Sequence, residues 1–357
     1  MTQPSPSPFP ELPISPAELN AARQGVALRG GRIMGALGVL AALSALAGVA
    51  GAWALWRAFQ LLPGWLAALG EWSEGDLPAV DFTGAVPAWT LPALLTLTLL
   101  GTALYVWAIL VARQTVGAVR DQTLTPNATH AEAQERSVNT VRPWIVLGQI
   151  APIVQALLPL LVVPLAFGIV QQLDPQDLQG LGFGSLEVAG ILLGLVVQSL
   201  PTIIITWLIL AAIRRWLDAV VARAHAPISV RPVARRVDPW LLFTLILLAL
   251  GLSGLILGGL PFLVVSAFAG SVPLDDPDLI SLGLTPTVLR LGLLVGAALM
   301  LGSGLIYLLL TLLMAWSRGF ATQVAVVLDA ELPGRSVAPA YDPWSGPVQA
   351  AQGREPY

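Results

Sequence analysis

The 357-residue sequence contains neither cysteine nor lysine, so all 18 of its basic residues are arginine. Without cysteine, the chain has no disulfide, no thiolate metal ligand and no cysteine nucleophile. Charged residues make up only 11%, against about a quarter in a typical soluble domain. Hydrophobic residues make up 56%, and the mean hydropathy is +0.77. This balance predicts a protein whose surface is largely in contact with lipid.

Histidine, aspartate and glutamate are missing from the long apolar segments, which argues against several classes of enzyme and transporter. Intramembrane proteases need a nucleophile with a base, or a pair of carboxylates, and ion-coupled transporters commonly bury an ionisable group. The sequence also has no Walker motif, no His-Glu-x-x-His motif and no nucleophile elbow. We therefore predict a non-enzymatic protein with no catalytic residue, no cofactor and no metal site.

Six segments are long and apolar enough to cross a bilayer, since a membrane helix needs about 20 mostly apolar residues. Each of them is free of aspartate, glutamate and arginine. The predicted spans are residues 33–56, 89–112, 144–172, 188–213, 240–268 and 291–316. The predicted fold class is therefore all-α, a polytopic membrane helical bundle with six transmembrane helices.

The distribution of arginine predicts the orientation of these spans. All but two of the arginines lie either before the first span or after the second, fourth or sixth span. The two exceptions are Arg57 and Arg290. Because positive charge stays on the cytoplasmic side, both termini are expected in the cytoplasm. The excess of Ala, Gly, Leu and Pro, together with the absence of lysine, suggests a GC-rich bacterial genome. We therefore expect the protein in the inner membrane of a bacterium.

Recurring sequence features predict three tandem copies of a two-helix unit. The pair Pro-Trp occurs at 143–144, 239–240 and 343–344, and a proline stands near the outer end of every odd span. The prolines predicted to bend these spans are Pro63, Pro164 and Pro261. Units with two spans each share one orientation, which suggests a pseudo-threefold axis along the membrane normal.

The predicted units divide the chain between two flexible cytoplasmic tails. The first unit begins with a helix whose capping box starts at Ser15, because Glu18 follows three residues later. The predicted boundaries are 1–14 for a disordered Pro-rich tail, 15–140, 141–236 and 237–330 for the three units, and 331–357 for the second tail.

The segments that follow the fourth and sixth spans carry apolar residues at helical spacing. Trp216, Leu217 and Val220 share one face, and Phe320 and Val324 share another. This pattern predicts short amphipathic helices lying on the cytoplasmic membrane surface. The first two Pro-Trp pairs would then open the next unit, with proline in the first helical turn and tryptophan at the interface. The third pair is followed by no span and would be the stub of a fourth unit. The predicted interfacial anchors are Trp144, Trp240, Trp216 and Phe320.

A basic cluster surrounds the loop after the fourth span. It either binds anionic lipid headgroups or only fixes the topology, and both can hold together. No nucleic-acid recognition motif accompanies it, so nucleic acid is not an expected partner. The cluster consists of Arg214, Arg215, Arg223, Arg231, Arg235 and Arg236.

Two classes of function remain after these exclusions. The first is a scaffold or accessory subunit of a bacterial cell-envelope membrane complex, which would contact membrane lipids and a protein partner in the membrane or at its cytoplasmic face. The alternative is a permease-like subunit that moves an apolar or lipid-like substrate and is energised by a separate partner. A charged cluster facing the bundle interior would favour the permease, and a dry, tightly packed interior would favour the scaffold.

Overall fold

The computed structural model describes residues 14–72, 89–173, 185–268 and 286–332, and six long helices account for nearly all of them. No strand occurs within these four ranges, so the all-α prediction is confirmed. Each predicted span lies within a different helix, apart from Trp89 in the turn before the second one. The helices are α1 (Pro16–Trp72), α2 (Thr90–Leu124), α3 (Ala128–Leu173), α4 (Ser185–His225), α5 (Arg231–Phe268) and α6 (Pro286–Ala330).

Four of these helices are long and apolar enough to cross a membrane, with mean hydropathies between 2.1 and 2.5. The segments are Pro16–Arg57, Leu91–Leu124, Arg231–Phe268 and Arg290–Ala330. Large apolar side chains on them face outward, such as Leu257 at 70% exposure. An apolar surface of this extent suits lipid rather than water. The membrane crossing of α3 and α4 stays a prediction, because the structure does not describe many of their side chains.

The helices pack in chain order into a closed ring. Each helix packs against the next one along the chain, and α6 returns to pack against α1. The most extensive contacts lie within the pairs α5–α6 and α1–α2, followed by α3–α4 and α1–α6, which are about equal. The equivalence of the three units remains a prediction.

Among the described residues, a cluster of buried apolar side chains lies at the arginine-rich end and continues into the adjoining ends of the predicted spans. Every helix contributes a valine that is at most 3% exposed to one hydrophobic cluster at this end. The six valines are Val26, Val119, Val138, Val220, Val237 and Val324. All six helices therefore continue past the apolar segments into a packed helical core.

We call these continuations the helical extensions. They are residues 16–32, 113–124, 128–143, 214–225, 231–239 and 317–330. At a rise of 1.5 Å per residue, the extensions are about 14 to 26 Å long. The one at the start of α1 begins as predicted, because Ser15 Oγ accepts a hydrogen bond from the Glu18 N–H at 3.1 Å.

The prediction of separate amphipathic helices lying along the membrane is wrong. The segments after the fourth and sixth spans are continuous with α4 and α6, and their apolar faces are turned into the protein. Trp216 is 8% and Phe320 3% exposed, and their rings meet edge to face with centroids 6.4 Å apart. An apolar helix face must be covered, but its spacing does not say whether lipid or protein covers it.

For the two pairs that the structure describes, the prediction that the proline of Pro-Trp stands in the first helical turn is also wrong. Pro143 lies well inside α3, and Pro239 lies inside α5, with extension residues before both. A proline frees the carbonyl one turn earlier, and near the membrane surface water can bind that carbonyl at little cost. The neighbouring Trp144 and Trp240 are partly buried. Their role as interfacial anchors stays a prediction.

The three outer prolines lie within helices that continue past them. Pro63 lies in α1, Pro164 in α3 and Pro261 in α5, each toward the end opposite the helical extensions. The bends predicted there stay predictions. The third Pro-Trp pair and the acidic loops between the helices of each predicted unit fall outside the described residues. So do the predicted tails, apart from Ile14, Glu331 and Leu332.

Candidate functional site

A cleft of about 700 Å³ opens at the arginine-rich end between α1, α5 and α6. Four arginines and two carboxylates line it, which leaves a net charge of +2 within its lining. We call it the α1/α5/α6 cleft. Its charged side chains are Glu18, Arg29, Arg231, Arg235, Asp238 and Arg318.

One wall of the cleft is a two-point ion pair between α5 and α6. Arg318 donates from Nε to Oδ1 of Asp238 and from Nη2 to Oδ2 at 2.9 Å. The planar guanidinium matches a carboxylate in this way, which fixes the orientation of both groups. The hydrogen bond to Asp238 raises the pKa of Arg318, so the arginine stays charged at any physiological pH. The pair is therefore neutral as a whole and holds the two helices together.

A second, looser pair joins α5 to α1. Arg231 Nη2 lies 3.7 Å from Glu18 Oε1, too far for a good hydrogen bond. The Arg231 side chain is 14% exposed, and its buried Nε has no hydrogen-bond partner. A buried N–H donor without a partner costs free energy. Among the described residues, this Nε has no partner, and the protein encloses it rather than leaving it open to the cleft.

The excess charge comes from Arg29 on α1 and Arg235 on α5. Within the part of the chain that the structure describes, neither forms an ion pair with a carboxylate. The guanidinium of Arg29 lies against Gly319 of α6, and a Cβ atom at that glycine would overlap it. Glycine at this position therefore lets the arginine reach the cleft.

The buried carboxylate of Asp329 holds α5 in place beside the cleft. It accepts hydrogen bonds from the Ser229 hydroxyl at 2.6 Å, the Val230 N–H at 2.8 Å and the Arg231 N–H at 3.3 Å. Asp329 is 0% exposed and lies at the end of α6, while Arg231 is the first residue of α5. It caps α5 from another helix, and the positive end of the α5 dipole stabilises its negative charge. The cap fixes the register of α5 against α6.

A related ion pair joins α3 and α4 with the charges reversed. Arg142, which precedes Pro143, donates to Oδ1 of Asp218 from Nη2 at 2.6 Å and from Nε at 3.1 Å. Asp238 likewise precedes Pro239. In two successive helix pairs, the residue before Pro-Trp therefore pairs with the extension of the following helix.

The basic cluster predicted from the sequence divides into three groups. Arg231 and Arg235 line the cleft, whereas Arg223 donates to the Leu328 carbonyl at the end of α6 at 3.1 and 3.3 Å. The remaining members are exposed: Arg214, Arg215 and Arg236.

Sequence reasoning missed the members of the cleft that lie outside this cluster. Glu18 and Arg29 precede the first span, Asp238 precedes the fifth, and Arg318 follows the sixth. The available signal was a charged residue within a few positions of a span end on the arginine-rich side. It does not show which span ends are neighbours.

The two histidines of the chain have structural partners. His225 Nε2 lies 3.3 Å from Glu135 Oε2 and links α4 to α3, with both side chains exposed. His130 Nδ1 lies 2.8 Å from the Thr125 carbonyl oxygen in the turn before α3. Among the described residues, no group of three or more His, Cys, Asp or Glu side chains is placed to hold a metal ion.

The helices define this chain as a multi-pass helical membrane protein with a packed core at its arginine-rich end. No family model, curated protein or solved structure matches it. Any more specific function must therefore be argued from the core and the cleft themselves.

Proposed function

We propose that the protein is a non-enzymatic scaffold or accessory subunit of a membrane complex in the bacterial cell envelope. In this proposal all six helices cross the inner membrane as three tandem units, both termini are cytoplasmic, and the helical extensions project into the cytoplasm. The observation that supports it is the packed core formed by the extensions of all six helices.

The extensions form a body that suits docking. The two-point pair Arg318–Asp238, the pair Arg142–Asp218 and the Asp329 cap all join neighbouring helices. A surface held in this way loses little entropy when a partner binds. Arg214 and Arg215 are exposed on it, so the partner surface we propose is acidic.

The test is purification of the tagged protein from its native membrane in mild detergent, with co-eluting proteins identified and quantified by mass spectrometry. A scaffold is expected to retain an envelope protein at near-stoichiometric amount. The R214Q/R215Q variant should lose about tenfold of it, because two charge contacts are removed. The matched control R113Q/R136Q, which also removes two exposed arginines, should retain it. Absence of any stoichiometric partner from the unaltered protein would overturn the proposal.

The α1/α5/α6 cleft favours a second candidate, a permease-like subunit for a lipid-like substrate energised by a separate partner. A charged cleft between helices is where such a substrate would engage its polar group. Co-elution of an ATPase, together with substrate-dependent stimulation of its turnover, would support this candidate over the scaffold. An ATPase whose turnover does not respond to lipid would count against it.

A further inference from the structure

We propose that the α1/α5/α6 cleft binds the phosphate-bearing headgroup of an anionic lipid. This inference rests on the proposal that the chain crosses a membrane. It does not depend on whether the protein is a scaffold or a permease.

The charge of the cleft suits one phosphate group. Asp238 neutralises Arg318, and Glu18 lies within 3.7 Å of Arg231, while Arg29 and Arg235 have no carboxylate partner among the described residues. An arginine guanidinium presents paired N–H donors that match phosphate oxygens. An anion between Arg29 and Arg235 would reduce the electrostatic repulsion of this excess charge.

The depth of these arginines corresponds to lipid headgroups. Arg318 lies two residues past the sixth apolar segment, Arg29 four residues before the first, and Arg235 five residues before the fifth. At 1.5 Å per residue these positions are about 3 to 8 Å beyond the hydrocarbon boundary, and the long arginine side chain can extend back toward the headgroups. The headgroup region is about 5 to 7 Å deep on each side of a bilayer. The guanidinium groups therefore reach the level of lipid phosphates.

An apolar path leads from the cleft along α6 for the acyl chains. Ala315 lines the cleft and is exposed. Leu312, Leu308 and Leu305 follow it at three- or four-residue spacing and therefore share its face of the helix. They are 39%, 42% and 67% exposed. A free phosphate ion would make no use of this stripe, so the lipid is the favoured source of the anion.

The test is titration of the purified full-length protein with phosphatidylglycerol, with bound lipid counted by native mass spectrometry. Phosphatidylcholine in the same detergent serves as the zwitterionic comparison. The R29Q/R235Q variant should bind phosphatidylglycerol about tenfold more weakly, since it removes the two unpaired charges. The control R113Q/R136Q removes two exposed arginines outside the cleft and should change binding less than about twofold.

A second variant keeps the test decisive if R29Q/R235Q fails to fold. Thr322 is exposed at the cleft, and T322E adds a carboxylate there without removing a buried group. It should weaken phosphatidylglycerol binding about fivefold while leaving the melting temperature unchanged within about 2 °C.

Three outcomes would overturn the proposal. Equal loss of phosphatidylglycerol binding in R29Q/R235Q and R113Q/R136Q would indicate diffuse attraction to the basic surface. Equal binding of phosphatidylcholine would remove the requirement for an anion. Full competition by millimolar inorganic phosphate would assign the cleft to a free ion. Because no protein partner enters this experiment, its failure is separable from failure of the proposed scaffold role.

Discussion

At the scale of single residues, Asp329 connects the end of α6 to the start of α5 through three hydrogen bonds. Replacement by alanine would leave buried donors at the α5 N-terminus without partners. We expect D329A to lower the free energy of unfolding by about 2 to 4 kcal/mol, the sum of a lost cap and unsatisfied donors. Unfolding by sodium dodecyl sulfate in mixed micelles, followed by circular dichroism, would measure it.

The conservative variant D329N separates the charge of this carboxylate from its geometry. It keeps one oxygen acceptor and should lose about half as much stability as D329A. The control D121A removes an aspartate whose side chain pairs with Arg120, its immediate chain neighbour, and it should cost less than about 1 kcal/mol. A D329A variant as stable as D121A would contradict the assigned capping role.

The two ion pairs with reversed charge allow a direct comparison. A double-mutant cycle with R318A and D238A should give a coupling energy of about 1 kcal/mol, because both carboxylate oxygens are engaged. The cycle with R142A and D218A should give less, since both of its hydrogen bonds go to Oδ1 and its side chains are 40% and 41% exposed. Thermal unfolding of the detergent-solubilised variants measures both. A larger coupling for Arg142–Asp218 would refute this ranking.

At the scale of helices, burial distinguishes tryptophans that the sequence presents alike. W216A removes a ring that is 8% exposed and packed on Phe320, and it should cost about 3 to 5 kcal/mol. Trp107 lies on α2 at 59% exposure, so W107A should cost less than about 1 kcal/mol. Melting temperatures in one detergent would compare the two. Similar melting temperatures for W216A and W107A would mean that Trp216 faces the membrane interface, as the sequence predicted.

The spans were predictable because lipid imposes a simple requirement. A crossing helix needs a long apolar run, and residues 33–56 and 291–316 supply one without any charge. The continuation of α4 beyond residue 213 was not predictable in the same way. Polar and apolar residues alternate there at helical spacing, and this pattern fits a membrane surface and a protein core equally well.

The cleft was beyond sequence reasoning for a different reason. Arg29, Arg235 and Arg318 lie on three helices that are far apart in the chain. Only the return of α6 to α1 brings them together, and neither composition nor helical spacing specifies that contact. The sequence therefore located basic charge at the correct ends of the helices, but it did not indicate which of those charges share a site.

At the scale of the whole molecule, the proposed topology has a direct test. The chain has no cysteine, so each introduced thiol is unique. In intact cells, R215C should resist a membrane-impermeant maleimide until the membrane is opened, because the positive-inside rule places it in the cytoplasm. W89C, in the turn before α2 and far from the extensions, should react at once. Reaction of R215C in intact cells would reverse the proposed orientation.

The closed ring has a test of the same kind. A Cβ atom at Gly25 would overlap the side-chain amide of Gln323, so α1 and α6 are adjacent there. In the G25C/Q323C variant, mild oxidation should form an intramolecular disulfide, because two cysteines this close can meet the geometry that the bond needs. Counting the free thiols before and after oxidation measures how much disulfide forms. The pair G25C/R215C, on helices that are not neighbours, should stay reduced, and persistence of both thiols in G25C/Q323C would rule out the α1–α6 contact.

The contact between α1 and α6 has a consequence for how such a protein is made. Helices enter a membrane in the order of synthesis, so one flank of α1 has no partner until α6 arrives. The same arrival brings Asp329 to the start of α5 and Arg318 to Asp238. A chain that ends before α6 would therefore leave one side of α1 without its helix partner and the start of α5 without its cap. Closure of the ring would therefore complete the α1 contact, the α5 cap and the Arg318–Asp238 pair in a single step.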